Sequence, residues 1–71
     1  MQISVKLRVG KRIQELRKQR GLTQEKFAEV TNIDYKYVQR IEGKNPPNLK
    51  LETLEKIAKT FKLPLSKLLD I

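Results

Sequence analysis

The chain has 71 residues, of which 38% are hydrophobic and 34% are charged. A chain of this length buries only about 60% of the surface that its unfolded form exposes, so we expect one small domain over residues 1–71. It contains neither cysteine nor histidine, which excludes disulfide bonds, thiolate or imidazole metal sites and histidine-dependent nucleophilic catalysis. The three glycines also form no phosphate-binding cluster, so we expect no metal site, no cofactor and no enzyme.

The distribution of apolar residues excludes a membrane protein. The longest uninterrupted apolar run is two residues, whereas a membrane-spanning helix needs about 20. Residues 1–6 contain no apolar stretch of the kind found in signal peptides, so we expect none. These features predict a cytoplasmic protein without a membrane partner.

The positive charge is concentrated in the first third of the chain. The formal net charge is +8, from 16 basic and 8 acidic side chains. Residues 1–22 contain seven basic side chains and one carboxylate, a charge of +6, whereas residues 23–71 contain nine and seven, a charge of +2. Such a segment attracts phosphates, and nucleic-acid binding gains affinity as counterions are released. A solvated basic helix has the same composition, so charge alone leaves both interpretations open.

Apolar residues at helical spacing predict five helices and no strand. We expect the first helix to follow a cap at Ser4 and to end at Gly21. Its well-formed part is expected to begin near Val9, because Gly10 weakens the first turns by about 1 kcal/mol. The residues of its apolar stripe are Val5, Val9, Ile13 and Leu16.

The second and third helices are joined by a short turn. Thr23 is a competent N-cap for the second helix, and Asp34 for the third, which runs from Tyr35 to about Glu42. Asn32, in the turn, is the non-glycine residue that best tolerates a positive φ. The residues expected to face inward are Phe27, Ala28, Val38 and Ile41.

Two further helices complete a predicted all-α, compact five-helix bundle. Pro46 and Pro47 exclude a helix from the loop that precedes the fourth. Pro64 is expected at the first position of the short fifth helix. The apolar face of the fourth helix is expected to contain Leu51, Leu54, Ile57, Ala58 and Phe61.

The outward face of the third helix carries side chains suited to reading DNA bases. On a helical wheel, Lys36, Gln39 and Arg40 lie away from the apolar face. Arginine forms two hydrogen bonds with guanine, glutamine forms two with adenine, and lysine reaches guanine or phosphate. A polar helix face that only meets water has the same pattern, so this helix by itself leaves both functions open.

Over residues 9–70 the chain resembles the Cro/C1-type helix-turn-helix domains, also called the XRE family. The matching residues are Gly10-Lys11-Arg12-Ile13, Leu16-Arg17, Gly21-Leu22-Thr23-Gln24, Phe27-Ala28, Ile33, Tyr37-Val38, Arg40-Ile41-Glu42, Leu54, Ile57-Ala58 and Leu68-Leu69. The resemblance implies a lambda-repressor-like fold with the helix-turn-helix at about 23–42. It also implies a sequence-specific transcriptional regulator of double-stranded DNA, with the recognition helix, about 35–42, in the major groove.

The resemblance and the basic first helix together assign candidate contacts. The base-reading candidates are Tyr35, Lys36, Gln39 and Arg40. The phosphate candidates are Lys11, Arg12, Gln24, Tyr37 and Lys44. Arg17 and Glu42 match positions that form a partly buried ion pair in relatives, between the first helix and the end of the recognition helix.

The chain also departs from the family pattern. Thr31 stands where leucine commonly packs and Asn32 where glycine is usual, which predicts a looser turn. Lys62 stands where glycine often ends the fourth helix, and a left-handed lysine costs about 1 kcal/mol. The segments 31–34 and 48–51 are similar to the small controller regulators of restriction–modification systems.

A single recognition helix reads about half a site, so we expect a homodimer on a palindromic operator, with two helices roughly 34 Å apart. The interface candidates are Phe61, Leu65, Leu68, Leu69 and Ile71, although the leucines would equally seal the monomer core. The alternative is an antitoxin-like or coactivator-like module whose main partner is a protein, such as a toxin or RNA polymerase. No ligand-binding domain is expected after residue 71, so regulation would come from DNA occupancy, concentration or a partner.

Overall fold

A computed structural model of the chain describes residues 4–71, and these residues form five helices and no strand. The helices are α1 (Val5–Gln19), α2 (Gln24–Thr31), α3 (Tyr35–Ile41), α4 (Leu51–Thr60) and α5 (Leu65–Leu68). The predicted all-α architecture is confirmed. Within the described range, no helix is long and apolar enough to cross a membrane.

The first three helices begin at the predicted N-caps. Side-chain oxygens of Ser4, Thr23 and Asp34 each accept a hydrogen bond from a first-turn N–H, at 3.3, 3.0 and 3.1 Å. These bonds satisfy donors that a helix leaves free at its start. The expectation that α1 is well formed only from near Val9 is wrong, since the Ser4 cap starts the helix at Val5.

Gly10 serves the packing of α1 against α3. A Cβ atom at this position would collide with the backbone carbonyl of Ile41, at the end of α3. The missing side chain allows the two backbones to approach closely, and this packing offsets the roughly 1 kcal/mol that glycine costs within a helix. The crossing sets the distance between α1 and the C-terminal end of α3.

Three left-handed residues follow the ends of α1, α2 and α4. Gly21, Asn32 and Lys62 have φ values of 67°, 58° and 56°, as their predicted roles require. After each of them, the next N–H donates to the carbonyl five residues earlier, at 2.9 to 3.1 Å. This is the bond of the Schellman motif, which satisfies free carbonyls at the end of a helix.

The turn between α2 and α3 is closed rather than loose. The Ile33 N–H donates to the Ala28 carbonyl at 3.0 Å. The buried hydroxyl of Thr31 donates to the Phe27 carbonyl at 2.6 Å, so this polar side chain occupies an apolar position without an unsatisfied donor. The predicted loosening is therefore wrong, and the path from α2 into α3 is held by hydrogen bonds.

The helices enclose one apolar core, in which the rings of Phe27 and Phe61 stack with centroids 5.4 Å apart. Val5 and Leu51 lie outside it, with 63% and 72% of their surface exposed, contrary to the predicted stripes. Each is the first residue of its helix. The buried apolar residues are Val9, Ile13, Leu16, Phe27, Ala28, Val38, Ile41, Leu54, Ile57, Ala58, Phe61 and Leu68.

The last helix, α5, is a single turn. Pro64 is its N-cap, with an extended backbone, rather than its first helical residue. Phe61 and Leu68 have no exposed surface, so these two predicted interface residues belong to the monomer core. The other candidates keep some exposure: Leu65 and Leu69 are half-buried and Ile71 is exposed.

Candidate nucleic-acid interface

Helix α3 has a buried apolar face and an exposed polar face. Val38 and Ile41 are buried, whereas Lys36, Gln39 and Arg40 are exposed, as the helical wheel predicts. Within residues 4–71, no side-chain hydrogen bond or ion pair engages any of these three polar side chains. Their hydrogen-bonding groups are therefore free to meet an external ligand.

The two tyrosines of α3 differ in their surroundings. Tyr35, the first residue of the helix, is 39% exposed. Tyr37 is half-buried against the core, and the guanidinium of Arg40 lies 5.8 Å from the centroid of its ring. That distance is within the range of a cation–π interaction. Tyr37 thus supports Arg40 at the rim of the outward face.

The loop after α3 adds a third basic residue to this face. Lys36, Gln39 and Arg40 share a shallow depression with Lys44 and the small residues beside it. Lys44 also lines a neighbouring groove between α1 and the end of α3, together with Lys11. Two predicted phosphate contacts therefore lie in one groove, next to the predicted base-reading residues.

Pro46 and Pro47 leave the outward face of α3 open. Both line an apolar groove together with Val9 of α1 and Leu69 beside α5. The depression that contains Lys36 and its neighbours includes neither proline. The polar face of α3 therefore remains accessible.

A buried ion pair connects α1 to the end of α3. Arg17 Nε lies 2.7 Å from Glu42 Oε2, and Arg17 Nη2 donates to Glu42 Oε1 at 2.9 Å. Only 9% of the Arg17 side chain and 1% of the Glu42 side chain are exposed. The predicted pair is present, and its two-bond geometry is the one that the planar guanidinium favours.

Two glutamines complete the hydrogen bonding of Glu42. The amides of Gln14 and Gln24 donate to Oε1 at 3.2 and 3.0 Å, and Arg17 Nη1 donates to the Leu22 carbonyl at 2.6 Å. Among the described residues, no buried side-chain polar atom lacks a partner. The network joins α1, the first residue of α2 and the C-cap of α3, and therefore fixes the orientation of α3.

The network keeps Glu42 ionised despite its burial. Burial disfavours the charged carboxylate, but the hydrogen bonds from Arg17 and Gln24, together with the charge of Arg17, outweigh this cost. The pKa of Glu42 therefore lies below its ordinary value of 4.5. The hydrogen bond to Glu42 also raises the pKa of Arg17, so both groups are charged at neutral pH.

Gln14 is a member of this network that the sequence prediction missed. It lies three residues before Arg17 on α1, and residues at this spacing share one face of a helix. The spacing would have identified Gln14 as a second donor once Arg17 was assigned. Gln24, a predicted phosphate contact, also braces the end of α3 through its bond to Glu42.

Two other arginines of the basic first third are engaged within the fold. Arg12 Nη2 and Nε donate to the carbonyls of Lys67 and Leu68, at 2.8 and 3.3 Å. Arg20 Nη2 donates to the Phe61 carbonyl at 2.6 Å, and its guanidinium lies 5.0 Å from the ring centroid of Phe61. The structure thus gives Arg12 two hydrogen-bond partners in α5.

Comparison with known proteins places this geometry in a family. A family model described as helix-turn-helix matches residues 13–68. No curated protein sequence matches the chain significantly. Among solved structures, SinR, a master regulator of biofilm formation determined in complex with DNA, matches with a TM-score of 0.80. Its identity is 29%, over 87% of this chain and 98% of that chain.

Two restriction–modification controllers match equally well. For C.AhdI from Aeromonas hydrophila the TM-score is 0.81 and the identity 30%, over 89% of this chain and 94% of that chain. For C.Esp1396I the TM-score is 0.80 and the identity 30%, over 96% of this chain and 91% of that chain. Since the family model spans more than half of the chain and the neighbours are regulators of this kind, the chain belongs to the helix-turn-helix family, as a DNA-binding regulator of the Cro/C1 (XRE) type.

Proposed function

We propose that this chain is a transcriptional regulator, not an enzyme, that binds a palindromic operator in double-stranded DNA as a homodimer. One observation carries the proposal: the polar side chains on the outward face of α3 have no hydrogen-bond partner among residues 4–71, and buried contacts hold this helix in a fixed orientation. A rigid helix with free donors on one side is what base recognition in a groove requires.

The proposed base contacts follow from the chemistry of the outward face. Arg40 forms two hydrogen bonds with a guanine, Gln39 forms two with an adenine, and Lys36 reaches a guanine. Tyr35, at the start of α3, adds an aromatic ring and a hydroxyl at the edge of the same face. Each two-bond contact is expected to contribute about 1–3 kcal/mol of discrimination against a wrong base.

The proposed phosphate contacts surround this face. Lys11 and Lys44 lie in one groove beside α3 and would hold the same DNA strand. Gln24 donates one amide proton to Glu42 and keeps a second for a phosphate oxygen. The hydroxyl of Tyr37 is the fourth donor proposed. Such contacts set the register of the protein on DNA and carry no sequence information directly.

The proposed dimer uses the apolar residues that the core leaves partly exposed at the C-terminal end. These residues are Leu65, Leu69 and Ile71, which we name the C-terminal face. A two-fold dimer would place two copies of α3 in successive major grooves, roughly 34 Å apart. Occupancy of an operator in the cytoplasm would then block or recruit RNA polymerase, according to the position of the site.

Selection from randomised duplexes, carried out over a series of salt concentrations, tests the reading of DNA. We expect a two-fold symmetric consensus. Arg40→Ala should relax the preference at one position of each half-site. Lys44→Ala, the matched control from the loop, should weaken selected and random duplexes alike and reduce the salt slope by about 0.9 per lost phosphate contact. The absence of a consensus, or equal effects of both variants on both DNAs, would contradict the proposal.

Sedimentation equilibrium tests the dimer separately. At micromolar concentration we expect a species of twice the chain mass, which is 8.3 kDa. A single 8.3 kDa species, free and on DNA, would exclude the homodimer and leave a monomer that reads one half-site.

A further inference from the structure

Helix α5 is too short to hold its own position. It has four residues and no side-chain cap at its start, and isolated helices shorter than about 12 residues are marginal in water. Leu68 is fully buried in the core, and Leu65 and Leu69 pack partly against it. These apolar contacts hold α5 against the core, but apolar contacts are not directional.

The guanidinium of Arg12 adds directional contacts to α5. Its Nη2 and Nε donate to the successive carbonyls of Lys67 and Leu68, at 2.8 and 3.3 Å, from a position 55 and 56 residues earlier in the chain. Two donors in one rigid plane that bind two neighbouring carbonyls define an orientation as well as a distance. A positive charge at the carbonyl end of a helix is also the favourable arrangement.

We infer that Arg12 is a positioning residue that orients α5 and thereby presents the C-terminal face for dimerisation. The inference rests on the proposed homodimer. Residues of the C-terminal face lie both before and after the two carbonyls that Arg12 binds. Leu65 begins α5, and Leu69 and Ile71 follow those carbonyls. Rotation of α5 would therefore separate residues that must meet the partner together.

Arg8 provides a matched control for Arg12. It lies four residues earlier on the same helix and is exposed. Arg8 and Arg12 line one depression, beside Asp70 near the end of the chain. Within the described part of the chain, the Arg8 side chain makes no hydrogen bond or ion pair. Arg8→Met removes the same charge as Arg12→Met without removing a bond to α5.

Three variants of the full chain, Arg12→Met, Arg12→Lys and Arg8→Met, test the inference. Amide hydrogen exchange of Leu68 and Leu69, relative to Val38 in α3, reports how firmly α5 is held. Sedimentation gives the dimer dissociation constant. Titrations with a full palindrome and with a single half-site, over a salt series, separate dimerisation from DNA contact.

Arg12→Met is expected to reduce the protection of the α5 amides and to raise the dimer dissociation constant, each by roughly tenfold or more, as for lost hydrogen bonds to a charged group. Binding to the full palindrome should weaken, whereas half-site binding and its salt slope should stay the same. Arg12→Lys should behave similarly, because an ammonium group cannot bind both carbonyls in the same way. Arg8→Met should leave exchange and dimerisation unchanged.

The two arginine variants distinguish a positioning role from a phosphate contact. If Arg12 contacts phosphate, Arg12→Lys should keep DNA binding, and Arg12→Met should weaken half-site and palindrome equally with a smaller salt slope. That result, with unchanged α5 exchange, overturns the inference. If the wild-type chain is a dimer and the Arg12→Met and Arg12→Lys variants dimerise equally well, the inference about Arg12 is overturned and the proposed homodimer is not. A wild-type chain that remains monomeric overturns the proposed homodimer, and the interface role of Arg12 with it.

Discussion

The basic side chains of α1 and those of α3 differ in what engages them. Arg12 and Arg17 on α1, and Arg20 at its C-cap, each donate hydrogen bonds to a distant part of the fold. On α3, Lys36 and Arg40 donate to no other side chain or carbonyl among residues 4–71. Three of the seven basic side chains in the first third are therefore engaged inside the fold, whereas both of those on α3 remain available.

The difference follows from the chemistry of the partners. Guanidinium groups match carboxylates and carbonyls with several donors at once, and α1 passes close to the ends of α3, α4 and α5, where carbonyls or a carboxylate need donors. A donor already satisfied inside the protein gains little from a phosphate, since one hydrogen bond would replace another. Long-range attraction by the basic first third remains, but specific contacts require free groups.

Removing one partner of the Arg17–Glu42 ion pair is expected to have the largest effect on the free energy of unfolding. Glu42→Ala leaves the Arg17 guanidinium buried beside no carboxylate, and we expect the free energy of unfolding to fall by about 3–5 kcal/mol. Urea unfolding followed by circular dichroism measures the change. Arg17→Met combined with Glu42→Leu should lose less than the sum of the single variants, because no unpaired charge remains. Simple additivity would show that the two residues do not act as a pair.

Substitution on the outward face of α3 should leave stability nearly unchanged and weaken the discrimination between DNA sequences. Lys36→Ala removes an exposed side chain that has no partner in the part of the chain that the structure describes, so the free energy of unfolding should change by less than about 0.5 kcal/mol. Discrimination between the selected operator and single-base variants should fall by about 1–3 kcal/mol, roughly five- to 150-fold. Unfolding and competition binding, measured on the same preparation, give both numbers. A loss of stability comparable to that of Glu42→Ala would erase the distinction between α1 and α3.

Local features of this fold could be predicted from the sequence. The caps at Ser4, Thr23 and Asp34, and the left-handed Asn32, depend on bonds within a few residues. The outward direction of Arg40 follows from helical periodicity, which is also local. For the same reason the helix that is proposed to read DNA was identified to within one residue of its end.

Features that depend on distant parts of the chain could not be predicted in this way. Arg12 and Arg20 bind carbonyls more than 40 residues away, and nothing in their neighbourhood indicates which charge will be used internally. Gly10 has the same low helix propensity whether it marks a weak turn or a close crossing, and only the position of Ile41 decides. The Arg17–Glu42 pair was anticipated through family resemblance, not through spacing.

The contrast between engaged and free basic side chains can also be tested within the first third, with a smaller expected effect. Arg20 is engaged by the fold, and Lys18 is the control. Arg20→Met loses the hydrogen bond to the Phe61 carbonyl and the contact with the ring, and should lower the free energy of unfolding by about 1 kcal/mol. Lys18→Met removes the same charge from an exposed side chain without an internal partner among the described residues. Thermal unfolding of the two variants should therefore differ, whereas their non-specific DNA binding should weaken equally. Equal stabilities would mean that the Arg20 contact contributes nothing to the fold.

Acid should reveal the weakest of these effects, through Glu42. Because its pKa is lower in the folded state, the unfolded chain binds the proton more readily, and stability is expected to fall as pH drops below about 4.5, the ordinary value. The effect is small since burial cancels part of what the hydrogen bonds from Arg17 and Gln24 contribute. We call the loss of stability at low pH the acid limb, and urea unfolding between about pH 3 and pH 7 measures it. Glu42→Gln should flatten this acid limb, whereas Glu15→Gln, at an exposed carboxylate, should retain it. If both variants keep the limb, the acid sensitivity comes from other carboxylates, and the network at the end of α3 is held by its neutral hydrogen bonds rather than by charge.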